Sequence, residues 1–288
     1  MLFLNDAQNV FVLLRKTSQP QANLRNKSGP PEAYHPRMRC SALLLLLATI
    51  CWANQAHGQT PALAARYYEL GHEKLQSGDW QGAVNDFTRA IELDARLQQR
   101  NSKSVSGDRF AGSQTGSNEI SVSDPFTAAA YHCRAIAHAY LGELDEAVDD
   151  YQRALRIKPK WAEAYLNLGL ARLEKKDYAG AIVDFSRAIR LNSTLVAAYH
   201  ARGTAFMKQG RMEPAVIDFT NALKLDPGHA ETYANRGLAL LVMGREVEAK
   251  TDLEKCLELR PELKSDLERR IELARKLMVL GAGVVSNN

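Results

Sequence analysis

The sequence predicts an all-α fold of stacked antiparallel helix pairs, an α-solenoid, and three observations predict it. A pattern of 34 residues recurs without gaps over residues 128–263. The spacings between its fixed positions are 3, 4 and 7, those of amphipathic helices. A glycine recurs midway through most copies, where one helix must end and the next begin. A period in this range marks an array in which each unit buries its apolar face on its neighbours.

Four blocks begin at Ala128, Ala162, Val196 and Ala230, and a fifth copy, residues 64–97, lies upstream. Position 4 is Tyr67, Tyr131, Tyr165, Tyr199 and Tyr233; position 8 is small, with Gly71, Ala135, Gly169, Gly203 and Gly237. Position 24 is large, with Phe87, Tyr151, Phe185, Phe219 and Leu253, while Ala recurs at position 20 and a small residue at position 27. Small residues let two helix axes approach to about 8–10 Å while the rings fill the space alongside.

Taken in chain order, residues 1–37 contain four prolines and little periodicity, and read as a leader upstream of the true start at Met38. Residues 38–58, MRCSALLLLLATICWANQAHG, have a basic start, an apolar run and a small-x-small end at Ala56 to Gly58, as a secretory signal peptide does. The run is short of the roughly 20 residues of a membrane span. Cys51 follows it, but Ile50 stands where a bacterial lipobox has a small residue. The mature chain is expected to begin near Gln59.

Repeat 1 occupies 64–97. Ala95 replaces the proline that Pro159, Pro227 and Pro261 supply at position 32, so its second helix is expected to run to about Arg100. Residues 98–127 are rich in serine and glycine and read as a flexible insertion, ending in a helix start at Asp124 and Pro125. Repeats 2 to 5 follow at 128–161, 162–195, 196–229 and 230–263. Ser265 and Glu268 have the spacing of a capping box, and Leu267, Ile271, Ala274 and Met278 predict a capping helix over 264–280, with a free tail at 281–288.

These residues resemble the tetratricopeptide repeat (TPR) family. Tyr at position 4 replaces the family's common Trp, and Ala95 and Ser193 depart from its usual Pro. The resemblance implies a right-handed solenoid of the bacterial exported type whose first helices line a concave groove. It implies a non-enzymatic scaffold for a protein or peptide ligand, met by positions 2, 5, 6, 9 and 12. Carried over, the groove residues are Tyr68, His132, Leu166 and His200 at position 5, Asn167 and Asn235 at position 6, and His72, Ile136, Leu170, Thr204 and Leu238 at position 9. The family's carboxylate clamp needs Lys at such positions; none is present, so recognition of an acidic C-terminal tail is disfavoured. The alternative is an assembly factor held at a membrane by an uncleaved or lipidated leader, acting through its edges or loop.

Chemistry of other kinds finds little footing. The chain has 37 basic and 33 acidic side chains, but residues 1–58 hold six and two of these, so the remainder carries 31 of each. That balance disfavours nucleic acid, and contact with a membrane is expected only through the leader. The acidic stretch LDEAVDDYQRAL, residues 144–155, suggests a metal or acid/base site until Asp150 is set beside Asp86, Asp184, Asp218 and Asp252, its counterparts at position 23. A feature present in every copy is structural. Arg134, Arg202 and Arg236 at position 7 are its expected partners, although Leu70 and Leu168 stand there in the other two repeats. His72 and Glu73 open a zinc-protease motif that Gln76 breaks, and His132, Cys133 and His138 do not converge on one metal. Cys133 and Cys256 are three repeats apart, beyond the roughly 7 Å that a disulfide allows, and are expected to be free. No catalytic residue, metal or cofactor is expected.

Overall fold

The computed structural model describes residues 59–105 and 125–285. The leader, the signal peptide and most of the serine-rich insertion lie outside the described residues, as do residues 286–288. The described residues form eleven α-helices and one 3-10 turn, with no strand among them. They fall into two compact units, one ending at Leu141 and the other beginning at Gly142.

The first unit contains α1 (Gln59–Ser77), α2 (Trp80–Val105) and α3 (Pro125–Leu141). Gly78 turns between α1 and α2 at φ +82°, and the Asp79 carboxylate caps α2 by accepting from the Gly82 amide at 2.9 Å. Phe87 is fully buried and meets the edge of Tyr68 at 5.6 Å. With no proline to stop it, α2 runs five residues past the expected Arg100, to Val105. Its buried Asp94 accepts from Gln98 and Thr127, tying α2 to α3.

The second unit contains α4 (Leu144–Ile157), α5 (Ala162–Glu174), α6 (Tyr178–Leu191), α7 (Val196–Lys208), α8 (Met212–Leu225), α9 (Ala230–Val242) and α10 (Glu246–Leu259). A 3-10 turn, Pro261–Leu263, then leads into α11 (Lys264–Val285). From α5 onward these are successive packed helix pairs, each first helix against its second and each second against the next first. The close approach at position 8 is tight: a Cβ on Gly169 would stand 2.6 Å from the Phe185 ring, and one on Gly203 2.7 Å from Phe219. Both rings are fully buried.

Repeat 3 also lacks the proline, yet its second helix stops at Leu191, where Asn192 accepts from the Thr194 amide at 3.1 Å and holds a turn in place of a further helical bond. Two local expectations are corrected. Ser265 is the second residue of α11 and not its cap; the 3-10 turn feeds the helix directly, leaving no start for a capping box. The helix also runs to Val285, where a free tail from 281 was expected.

Candidate peptide-binding face

Each first helix presents positions 5, 6 and 9 on one side, since i, i+1 and i+4 share a helical face. In the first unit, Tyr68 is buried, and its hydroxyl lies 3.7 Å from Cys133 Sγ. His72 is half-buried, with Nε2 3.1 Å from Gln76 Nε2, and burial lowers its pKa. His132 and Ile136 are half-buried on α3.

In the second unit the same positions diverge between helices. On α5, Leu166, Asn167 and Leu170 are all half-buried, and the two leucines rest on the cluster of Leu173, Phe185 and Ala205. On α7, His200 and Thr204 are buried. His200 Nδ1 lies 2.8 Å from Thr232 Oγ1 on α9, which in turn lies 2.7 Å from His229 Nδ1. Burial, reinforced by His229 and Arg270, lowers the His200 pKa to about 3, so the ring is neutral and joins α7 to α9. On α9, Leu238 is buried, and the Asn235 side chain accepts from the Arg270 guanidinium of α11. The capping helix thus occupies the face of the last first helix, a contact the period alone does not reveal.

The recurrent aspartates are all buried. Arg202 grips Asp218 with two 2.7 Å bonds, and Arg236 holds Asp252 in the same way. Both arginines have raised pKa values, chiefly through these hydrogen bonds. Where Leu70 and Leu168 occupy position 7, the cation comes from position 11, one turn further along the same face. Lys74 Nζ lies 2.7 Å from Asp86, and Arg172 Nη1 lies 2.6 Å from Asp184. Each position-7 arginine also donates to a hydroxyl at position 25 of the preceding repeat: Arg134 to Thr88 at 2.9 Å, Arg202 to Ser186 at 3.0 Å, and Arg236 to Thr220 at 3.1 Å. Those hydroxyls in turn donate to the carbonyls of Val84, Ile182 and Val216. Ahead of Leu168, where no arginine follows, position 25 is Gln152. The sequence carried this pairing of hydroxyl with arginine, and it is the signal that a reading of each block by itself misses.

Asp86, Asp184, Asp218 and Asp252 are each engaged by a cation from the facing helix of the same pair, so these groups staple the helix pairs. Asp145 and Glu146 lie in the first turn of α4, and Asp145 pairs with Lys175. No group of three or more His, Cys, Asp or Glu side chains suited to a metal occurs among the described residues. Cys133 and Cys256 are buried, and neither forms a disulfide among the described residues. No described helix is long and apolar enough to cross a membrane.

Stapled helix pairs stacked in this way define a class, the all-α repeat solenoid. Within it the chain carries tetratricopeptide repeats: a TPR repeat model matches residues 135–176 and 169–210, and a tetratricopeptide repeat model matches 196–229 and 230–263. Among curated relatives, human tetratricopeptide repeat protein 6 is 29% identical over 116 residues. The DnaJ homolog subfamily C member 7 homolog of Dictyostelium discoideum is 25% identical over 108. Each match spans 38% of this chain, but only 22% and 15% of those proteins' lengths.

Similar solved structures include MamA, with TM-score 0.55 and 21% identity, covering 70% of this chain and 94% of that one. A MamA chain from Desulfovibrio magneticus RS-1 gives 0.55 and 20%, covering 72% and 98%. YrrB, a TPR protein with an unusual peptide-binding site, gives 0.54 and 19%, covering 80% and 97%. At these identities the likeness is one of fold.

Proposed function

We propose that this protein is a non-enzymatic scaffold that binds an extended peptide, and that α5 is the centre of its binding face. The observation that carries the reading is the difference between first helices of the second unit: α5 keeps Leu166, Asn167 and Leu170 half-exposed, whereas His200 and Thr204 on α7 and Leu238 on α9 are buried. The two leucines, one turn apart, offer apolar purchase to alternate side chains of an extended ligand, and the amide of Asn167 is suited to its backbone. The peptide-binding site named for YrrB supports the same kind of use of this fold.

Peptides selected from a random library on the full chain provide the test. Asn167→Ala with Leu170→Glu lowers their affinity more than tenfold while helicity is retained, and Asn167→Ala alone gives a smaller loss in the same direction. Unchanged affinity in both variants moves the site away from α5. The protein is further proposed to be exported, on the strength of the leader sequence at 38–58. Its native mass then corresponds to a start near Gln59; a mass that retains residues 38–58 would overturn cleavage, and native peptides from residues 1–37 would overturn the start at Met38.

A further inference from the structure

The far end of the second unit has an apolar groove that its own repeats explain. At position 28 of earlier repeats, Ile91, Leu155 and Leu223 are buried and Ile189 is half-buried. Leu257 holds that position in the last repeat and is half-buried, with the capping helix and not a further repeat after it. The capping helix α11 packs against α9, and a groove of about 480 Å³ opens between α10 and α11. Its floor is formed by Leu253, Leu257, Leu267 and Ile271. Val247 stands at its edge, 83% exposed, at a position that is Gln81, Asp145, Ala179 and Glu213 in the other repeats.

The charges on the two walls decide what covers it. Along α10 the rim runs Glu246, Lys250, Glu254; along α11 it runs Lys264, Glu268, Arg275. All six are exposed, and within each wall they share a helical face. The first wall reads acid, base, acid, and the second reads base, acid, base. The signs on the α10 wall of one molecule are therefore complementary to those on the α11 wall of another, with Lys250 and Glu268 at the centre of each.

We propose that this groove is the interface of a symmetric homodimer. Each copy's Val247 covers the other's apolar floor, and Lys250 faces Glu268 of the second copy as the central pair. A two-fold interface presents one patch to itself and therefore must be self-complementary, as these walls are.

Sedimentation velocity on the full chain provides the test. The wild type doubles in mass within the concentration range up to about 100 μM, where weak homodimers register. Val247→Arg, Lys250→Glu and Glu268→Lys each weaken dimerisation at least tenfold with unchanged circular dichroism. The double variant Lys250→Glu with Glu268→Lys restores dimerisation, because it rebuilds the pair with its signs exchanged. A monomeric wild type overturns the proposal and leaves the groove to a different partner. So does a dimer indifferent to Val247→Arg, or a double variant no tighter than the single ones.

Discussion

In repeat 4, Asp218 is held by both arms of Arg202, which reaches it from position 7 and also bonds Ser186 in the repeat before. In repeat 3, Leu168 takes that position, and Arg172, one turn later, reaches Asp184 through one arm. The two carboxylates are similarly buried, yet their cations do different things. Arg202 satisfies its partner bidentately and links two repeats; Arg172 lies within its own repeat and also approaches Asp177, 3.8 Å away. The Asp184 pKa is accordingly raised to about 6, by burial against the opposing pull of Arg172. Equivalent positions in a repeat can therefore fold alike while differing in how firmly their charges are fixed.

The largest expected effect breaks this comparison directly. Arg202→Met strands a buried carboxylate and removes a bond between repeats, a change that typically costs about 3–5 kcal/mol. Arg172→Met costs about 1–2 kcal/mol, because Asp184 already takes up a proton readily and only one bond is lost. Urea unfolding at pH 7 measures both. Equal losses would show that the second arm of Arg202 and its bond to Ser186 contribute nothing.

A second test uses pH, with opposite signs from two buried groups. His200 titrates near 3 in the folded chain and near 6.5 when unfolded, so the unfolded state binds the extra proton between these values. Its contribution to stability is complete above about pH 6.5 and is lost as pH falls. Asp184 titrates at about 6 folded, against 3.8 for the free group, so here the folded state binds the extra proton. That contribution is fully present below about pH 4 and is lost as pH rises through 6. Each group changes stability by at most about 1.4 kcal/mol per pH unit. Between pH 6.5 and 4.5, His200→Asn therefore gains about 2 kcal/mol relative to wild type, and Asp184→Asn loses a smaller amount. Parallel pH profiles for wild type and His200→Asn would place His200 in solvent.

The helix pairs, their glycine turns and the contact between positions 8 and 24 were legible in the sequence because each is fixed by local spacing that recurs through the repeats. The arginine partners of Asp218 and Asp252 were legible for the same reason. Lys74 and Arg172 were not, since they act from a position where the other repeats have His138, Phe206 and Leu240, and only the vacancy at position 7 points to them. The candidate face was read least completely. Periodicity treats all five first helices as equivalent, but the surroundings of His200 depend on Thr232 from the next repeat, and those of Asn235 on Arg270 from a helix outside the period.

The smallest expected effect concerns the turn inside repeat 3. Gly78, Gly142, Gly210 and Gly244 end their first helices in the left-handed region, at φ between +75° and +82°. Lys176 occupies the same place at φ +65°, where a side chain crowds its own backbone at a cost of about 1–2 kcal/mol. Glycine removes that crowding but loses more chain entropy on folding, by about 0.5–1 kcal/mol. The difference leaves Lys176→Gly more stable by about 0.5–1 kcal/mol, and Gly210→Lys less stable by a similar amount. In a domain of this size that corresponds to about 2 °C in melting temperature, measurable by calorimetry on the two variants beside the wild type. Opposite shifts of similar size mean that the turns of repeats 3 and 4 differ only in backbone strain. If Lys176→Gly is neutral or destabilising, the lysine side chain makes a compensating contribution, and the two repeats differ at the turn as well as at the buried carboxylate.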